Sequence, residues 1–360
     1  MKKLIAIFLV ALTLAVPSIA LADTAPDISK VPYERIYGND QYDTAIAIAD
    51  RLGSTSEWNN GGQFDGIVLA SGNSWEDAIV GAPLAEYKKA PILLVDSSPD
   101  MATSQKTLDY MSKHLATDKD IYILGGTVVV PTTFEEKLAS MGYTNIHRIG
   151  GKDAPETSLL VAQQYPNNMY EVYFAGLNNF GDALSCAADS AYWGYPILLV
   201  DDNGLSKDQS DFASKFNIRM AFGNISDTVS LKTEYAGDKN FVTFKGTNVY
   251  DTNAKRTQRH YSDSIVYVVQ GEKFMDGLAG AVLAARHKGY IILTDPNSVL
   301  PETEVALKDL AYEEHDPVWR GTKSFYPNLV VFGGPGAVSD SVVTSIRQIL
   351  ASNWEYNDNW

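Results

Sequence analysis

Residues 75–79, Trp75-Glu76-Asp77-Ala78-Ile79, return as Phe180-Gly181-Asp182-Ala183-Leu184 and again as Phe274-Met275-Asp276-Gly277-Leu278. The aspartates stand 105 and 94 residues apart, and in each copy an apolar run starts 14 residues after the aspartate. Those runs are Pro91-Ile92-Leu93-Leu94-Val95-Asp96, Pro196-Ile197-Leu198-Leu199-Val200-Asp201 and Tyr290-Ile291-Ile292-Leu293-Thr294-Asp295. Upstream, Gly38 with Asp43-Thr44 matches Gly151 with Glu156-Thr157 and Gly246 with Asp251-Thr252. Downstream, Leu124-Gly125-Gly126 matches Phe222-Gly223-Asn224 and Phe332-Gly333-Gly334. A period of about 100 residues is too long for a solenoid unit and suits a domain that buries its own core. Three modules are therefore expected, over 30–143, 144–241 and 242–352.

Within a copy, short apolar runs alternate with helical spacing. Ile67 to Ala70, Ile92 to Val95 and Ile121 to Leu124 suit strands covered on both faces, while Trp75 to Tyr87 and Ser104 to His114 suit helices. Such alternation predicts α/β modules with parallel sheets joined by right-handed crossovers. No Pro-rich or Gly-Ser linker separates the copies, so they should pack on one another as one body.

The chain of 360 residues carries 29 Lys plus Arg against 44 Asp plus Glu, a formal charge of -15, which argues against a nucleic-acid partner. Its single cysteine, Cys186, permits neither an internal disulfide nor a zinc site built on several thiolates. Cys186 falls where the other copies have Gly81 and Gly280, which suggests a small residue at a close helix contact. Lys2 and Lys3, the apolar run Leu4 to Val16 and Ala20-Leu21-Ala22 read as a secretory leader over 1–22. The apolar run is shorter than the ~20 residues a spanning helix needs, and the tail from Ser352 to Trp360 has no hydrophobic stretch. The expected mature chain, Asp23 to Trp360, is exported, soluble and not held in a membrane.

In a parallel sheet, ligands sit outside the carboxyl ends of the strands, which is where the repeated polar residues fall. Asp77, Asp182 and Asp276 open a helix, so helix capping is their commoner use. With Asp96, Asp201 and Asp295 at the next strand ends, they could alternatively pair to bind a cation or accept hydroxyl hydrogen bonds from sugar. No calcium-loop spacing occurs. Trp75, Phe180 and Phe274, two residues before those aspartates, suit a core contact at the helix start, or else an apolar platform for a polymer. Arg35 and Arg148 open the first two copies at matching positions, where the third has Thr243 with Lys245 nearby. The third copy instead carries Lys255, Arg256, Arg259 and His260 in a polar helical stretch. Such a run usually forms a solvated face, but in an acidic protein it is also where a phosphate-bearing ligand would sit.

No catalytic set emerges. The five histidines show no paired ligand spacing, and neither a Gly-x-Ser-x-Gly elbow nor a phosphate loop is present. A non-enzyme is expected, because near-equivalent sites repeated three times suit multivalent attachment.

The chain resembles the cell wall binding repeat 2 modules of Gram-positive bacteria, including those of clostridial surface-layer and cell wall proteins. The resemblance rests on Arg35-Ile36-Tyr37-Gly38 and Arg148-Ile149-Gly150-Gly151, the aromatic-x-Asp segments, the Pro-Ile-Leu-Leu strands at Pro91 and Pro196, and the Leu-Gly-Gly turn. It implies three tandem Rossmann-like or Toprim-like modules packed as an intramolecular pseudo-threefold trimer. It also implies noncovalent binding of an anionic secondary wall polymer, teichoic-acid-like or a phosphorylated glycan, in a peptidoglycan-associated setting. Candidate polymer contacts are Arg35, Trp75, Asp77, Asp96, Arg148, Phe180, Asp182, Asp201, Phe274, Asp276, Asp295, Arg256 and Arg259. No cofactor is implied. An acidic protein on an acidic polymer needs either basic side chains focused at a groove or divalent cations as a bridge. The third copy departs from the pattern at Thr243 and Tyr290, and the second at Asn224, so binding could be unequal among the copies, or lost in one. Other expected roles are an accessory protein or hydrolase of wall remodelling, with other surface proteins as partners, or a self-assembling surface-layer component.

Overall fold

A computed structural model of the chain describes residues 25–55, 58, 62–166, 170–257, 265–313 and 327–355. The expected leader, and Arg259 with His260, lie outside them. Strand β1 (Tyr33–Ile36) leads to helix α1 (Gln41–Gly53), β2 (Phe64–Ser71), α2 (Glu76–Val80), α3 (Ala82–Lys88), β3 (Ile92–Val95), α4 (Gln105–His114), β4 (Leu115–Leu124) and α5 (Thr133–Ser140). The second copy runs β5 (Asn145–Ile149), α6 (Ala154–Ala162), β6 (Glu171–Gly176), α7 (Phe180–Trp193), β7 (Ile197–Val200), α8 (Lys207–Ala213), β8 (Ile218–Phe222) and α9 (Val229–Glu234). The third runs β9 (Phe241–Phe244), α10 (Val249–Thr257), β10 (Ile265–Gln270), α11 (Gly280–Arg286), β11 (Tyr290–Thr294), α12 (Pro301–Glu313), β12 (Asn328–Phe332) and α13 (Asp340–Glu355).

Among the described residues these strands form three four-stranded sheets, ordered β3-β2-β4-β5, β7-β6-β8-β9 and β1-β12-β10-β11. Every pairing is parallel. The Ile-Leu-Leu-Val strands β3 and β7 are buried along their whole length, as continuous apolar runs require.

The opening strand of each copy does not join its own copy's sheet. β5 pairs with β4, β9 with β8, and β1 with β12, so that Tyr33 lies opposite Leu329. The first helix of each copy then packs on its own sheet, α1 against β3, α6 against β7 and α10 against β11. Each copy is thereby stitched to the one before it, and the first is stitched to the last.

Helices α3, α7 and α11 pack on one another at the centre. Their alanines and leucines, among them Leu84, Ala85, Ala183, Leu184, Ala281 and Leu283, belong to one apolar core shared by all three copies. The helix expected over 75–87 is one piece in the second copy, α7, but breaks at Gly81 in the first. Pro83 in the first turn of α3 has no N–H for a continuous ladder, which accounts for the break. Glycine at 81 and 280 makes room for a strand-end side chain: an added Cβ would meet Leu124 at 2.3 Å and Phe332 at 2.5 Å. Cys186, at the matching place, is fully buried. At 81 and 280 the close neighbour is a strand end.

Candidate functional site

In the order β3-β2-β4-β5 the chain leaves β2 toward one side and later returns to the other, so the topological switch lies between β2 and β4. Asp77 follows β2 and Gly125 follows β4, which places both at that crevice. Gly125 has φ +98, and a Cβ there would stand 2.3 Å from Asp77 Oδ2. The same arrangement recurs at Gly223, φ +70, 1.8 Å from Asp182 Oδ2, and at Gly333, φ +98, 2.6 Å from Asp276 Oδ2. Only glycine takes this backbone readily and leaves the carboxylate its space.

All three aspartates are largely buried; Asp77 and Asp182 are each 6% exposed. Burial pushes Asp77 up to about 6, with Glu76 adding to the rise. It pushes Asp182 up to about 6 as well, against the Thr252 hydroxyl. Asp276 is raised by burial against a hydrogen bond from Thr44. These groups are not helix caps. Asn179 caps α7 by accepting from Gly181 N, and α2 starts with no side-chain cap. Capping of the first helices falls to Asp40, which accepts from Tyr42 N and Asp43 N, to Asp153, which accepts from Glu156 N, and to Asn248, which accepts from Asp251 N.

Each crevice is closed by the copy that follows in the cycle. The Thr44 hydroxyl accepts from Gly38 N at 3.1 Å and donates to Asp276 Oδ1 at 3.1 Å. Thr157 and Thr252 likewise accept from Gly151 N at 2.9 Å and Gly246 N at 3.0 Å. The repeated Thr was visible in the alignment, but its role was not, because its partner belongs to another copy.

The opening arginines stand beside the same glycine turns. Arg35 Nη1 donates to Gly333 O at 2.9 Å and Nη2 to Asp340 Oδ1 at 2.9 Å. Arg148 Nη1 donates to Gly125 O at 3.0 Å, and its Nε and Nη2 grip both oxygens of Glu135 at 2.8 and 2.6 Å. In the third copy Lys245 pairs with Asp227 instead.

The second set of aspartates is held differently. Asp96 accepts from Ser98 N, Thr103 N and Thr103 Oγ1; burial opposes its charge, but these bonds outweigh burial and hold it below the usual range. Asp201 accepts from Asn203 N, and Asp295 from Asn297 N and Ser298 N. No hydrogen bond joins a member of one set to the other, and no group of three or more His, Cys, Asp or Glu suits a metal ion among the described residues. Asp201 lines a cavity of about 610 Å³ with Asp153, Glu156, Asp211 and Phe212. In the first copy Lys106 crosses the matching space to Asp40 and Asp43, at 2.8 Å each.

Trp75 and Phe180 are buried, each 8% exposed, and Phe274 meets Phe180 edge-to-face at 6.2 Å. They are core contacts, with no ring face open as a platform at Trp75 or Phe180. Arg256 corrects the expectation of a solvated basic face. It is 1% exposed and donates from Nη2 to Asp189 Oδ2 at 2.6 Å, because it sits on the inner side of α10, which faces α7. Lys255, its neighbour, points outward to Asp251 and the Lys245 carbonyl.

The sites are therefore three related creases, each with a largely buried carboxylate and a left-handed glycine; at Asp182 and Asp276 a threonine hydroxyl from the next copy joins them. Comparisons with known proteins agree with this threefold plan. The chain is 27% identical to the N-acetylmuramoyl-L-alanine amidase LytC of Bacillus subtilis over 96% of its length, and spans 62% of that protein. It is 27% identical to the amidase enhancer of Bacillus subtilis, covering 79% of this chain and 37% of that one. Among solved structures, Cwp8 from Clostridium difficile superposes with a TM-score of 0.75 at 24% identity, covering 89% of this chain and 52% of the other. Cwp6 from the same organism gives 0.71 at 23% identity, with 89% and 48% covered. The model of cell wall binding domain 2 matches three times, over 35–135, 148–231 and 243–343, beginning at Arg35, Arg148 and Thr243. The chain thus belongs to the cell wall binding domain 2 family, as three of its modules closed into one pseudo-threefold body.

Proposed function

We propose that the protein is exported and attaches noncovalently to an anionic secondary polymer of a Gram-positive cell wall, with no chemistry of its own. The observation that carries this is the threefold recurrence of the Asp–Gly crease, with Asp77, Asp182 and Asp276 held alike against their glycines. Three similar weak sites on one rigid body act at high effective concentration, which suits a repeating polymer better than a single small ligand. Largely buried carboxylates at Asp77 and Asp182, raised by burial to about 6, accept hydroxyl hydrogen bonds, and Arg35 and Arg148 stand beside the glycine turns, each paired with a carboxylate, in a chain of net charge -15. The sequence candidates at the strand ends, Asp96, Asp201 and Asp295, rim the same edges. Sedimentation with purified walls tests the reading. The folded protein is expected to pellet with intact walls and to stay in solution with walls stripped of their secondary polymer. Equal pelleting with both would end it. Adding a chelator distinguishes a divalent bridge from direct basic contacts.

A second reading is favoured by the relatives. The relatives include an amidase and an amidase enhancer, so the chain would serve wall remodelling as an accessory. Release of wall fragments by the pure protein, or faster release by an added amidase, would support it.

A further inference from the structure

At the centre, Arg286 Nη1 meets Glu86 Oε1 at 3.0 Å between the third and first copies, and a second ion pair, between the third and second, stands where the matching places in the other copies are aliphatic. Seven residues after the crease aspartates stand Leu84, Asp189 and Leu283; four residues after the crease threonines stand Ile48, Val161 and Arg256. Leu84, Leu283, Ile48 and Val161 are all buried in the common apolar core. Only between the second and third copies do these places hold a charge pair, Arg256 Nη2 to Asp189 Oδ2 at 2.6 Å, with side chains 2% and 18% exposed. Arg256 Nη2 also donates to the Tyr173 hydroxyl at 3.1 Å, which donates to Glu171 at 2.8 Å, and the guanidinium lies over the Tyr173 and Phe244 rings. Among the described residues, Nε and Nη1 of Arg256 are buried without a hydrogen-bond partner.

A buried ion pair with idle donors is a poor way to gain stability, since well-packed aliphatic side chains of similar volume do as well or better. The other two copies supply that aliphatic alternative in the same fold. What a charge pair adds is discrimination: a buried Asp or Arg facing leucine is far costlier than a leucine facing leucine. Discrimination matters here because the copies are similar enough to dock wrongly. The segment joining β9 to α10 is only residues 245–248, so a small opening there would let the third copy of one molecule close on the second copy of another.

We infer that the Asp189–Arg256 pair is a register key, which makes the second and third copies of one chain recognise each other and keeps the ring from closing in another order or with a second molecule. Refolding from denaturant at high protein concentration tests this, read by size-exclusion chromatography with light scattering. The variant D189L/R256I carries a pair found elsewhere in the core. It is expected to regain its circular dichroism yet populate dimers and larger species at least tenfold more than the parent. In D189R and R256D the like charges face each other within a chain. Refolded together, these two should form a heterodimer in which each contact is again Arg with Asp, whereas neither does so alone. D189R/R256D should return to the monomer. The inference is overturned if D189L/R256I refolds as cleanly to monomer as the parent, or if it fails to fold, which would make the pair a stabiliser only. It is equally overturned if the mixed single variants yield no heterodimer. None of these outcomes depends on wall binding.

Discussion

The hydroxyl of Thr44 donates to the carboxylate of Asp276 across 3.1 Å, although 232 residues separate them. This contact joins the first helix of the chain to the switch-point crevice of the third sheet. Thr44→Val removes the donor to a largely buried carboxylate and the acceptor for Gly38 N. A loss of about 1–3 kcal/mol is expected, since both groups are left unsatisfied. Urea unfolding of the variant against the parent measures it.

Gly223→Ala should be among the most damaging single changes. The new Cβ would lie 1.8 Å from Asp182 Oδ2 on a backbone at φ +70. Gly237 has φ +77 with nothing within 4 Å, so Gly237→Ala reports the backbone cost alone. That cost should be about 1 kcal/mol, and Gly223→Ala should exceed it by about 2 kcal/mol or more. Paired thermal melts give the difference directly.

Asp182 has an ordinary value of 3.8 raised to about 6 by burial. Folding therefore takes up a proton at this site between those pH values. Its contribution is complete below 3.8 and is lost as the pH rises through about 6. Above that range the charged form is held at a cost of order 2–3 kcal/mol. Asp182→Asn keeps an oxygen toward Thr252 and abolishes the titration. Its stability relative to the parent should rise across this window and level off at neutral pH, at a gain of about 1–2 kcal/mol. Denaturant midpoints at several pH values would show it, and a flat difference would refute it.

Arg148 grips Glu135 through two bonds between half-buried side chains, whereas the partner of Arg35, Asp340, is 74% exposed. Arg148→Met should thus cost about 1–2 kcal/mol and Arg35→Met less than ~1 kcal/mol, because exposed pairs are screened. Equilibrium unfolding ranks the two, and wall sedimentation of the same variants asks whether either arginine also serves attachment.

Much of the fold was legible because its signals are local. The run Ile92 to Val95 coincides with β3, and the helix expected over 104–114 is α4, one residue shorter. β4 extends back to Leu115, well before the apolar run at Ile121, because Leu115 pairs with Phe64 across a register shift. The destination of the opening strands was not legible. β1 and β5 are short, with most residues exposed or partly buried, and what fixes them is a neighbour in another copy. The same limit applied to Arg256. In sequence it lies in a basic run, and only the packing of α10 on α7 turns it inward. The aspartates were found by recurrence and their glycines lie in the same copy, but the threonines reach Asp182 and Asp276 from the next copy, and spacing within one copy cannot show that.

The placing of β1 on β12 has a consequence for how the molecule is made. During synthesis the first strand of the fold emerges well before its partner, so it must wait unpaired while everything between them is assembled. A prematurely stopped product that lacks the last repeat would leave β1 with no sheet to join and β8 without its neighbour β9. Quality control is in this sense written into the connectivity: only a molecule that carries the third repeat has both halves of the clasp.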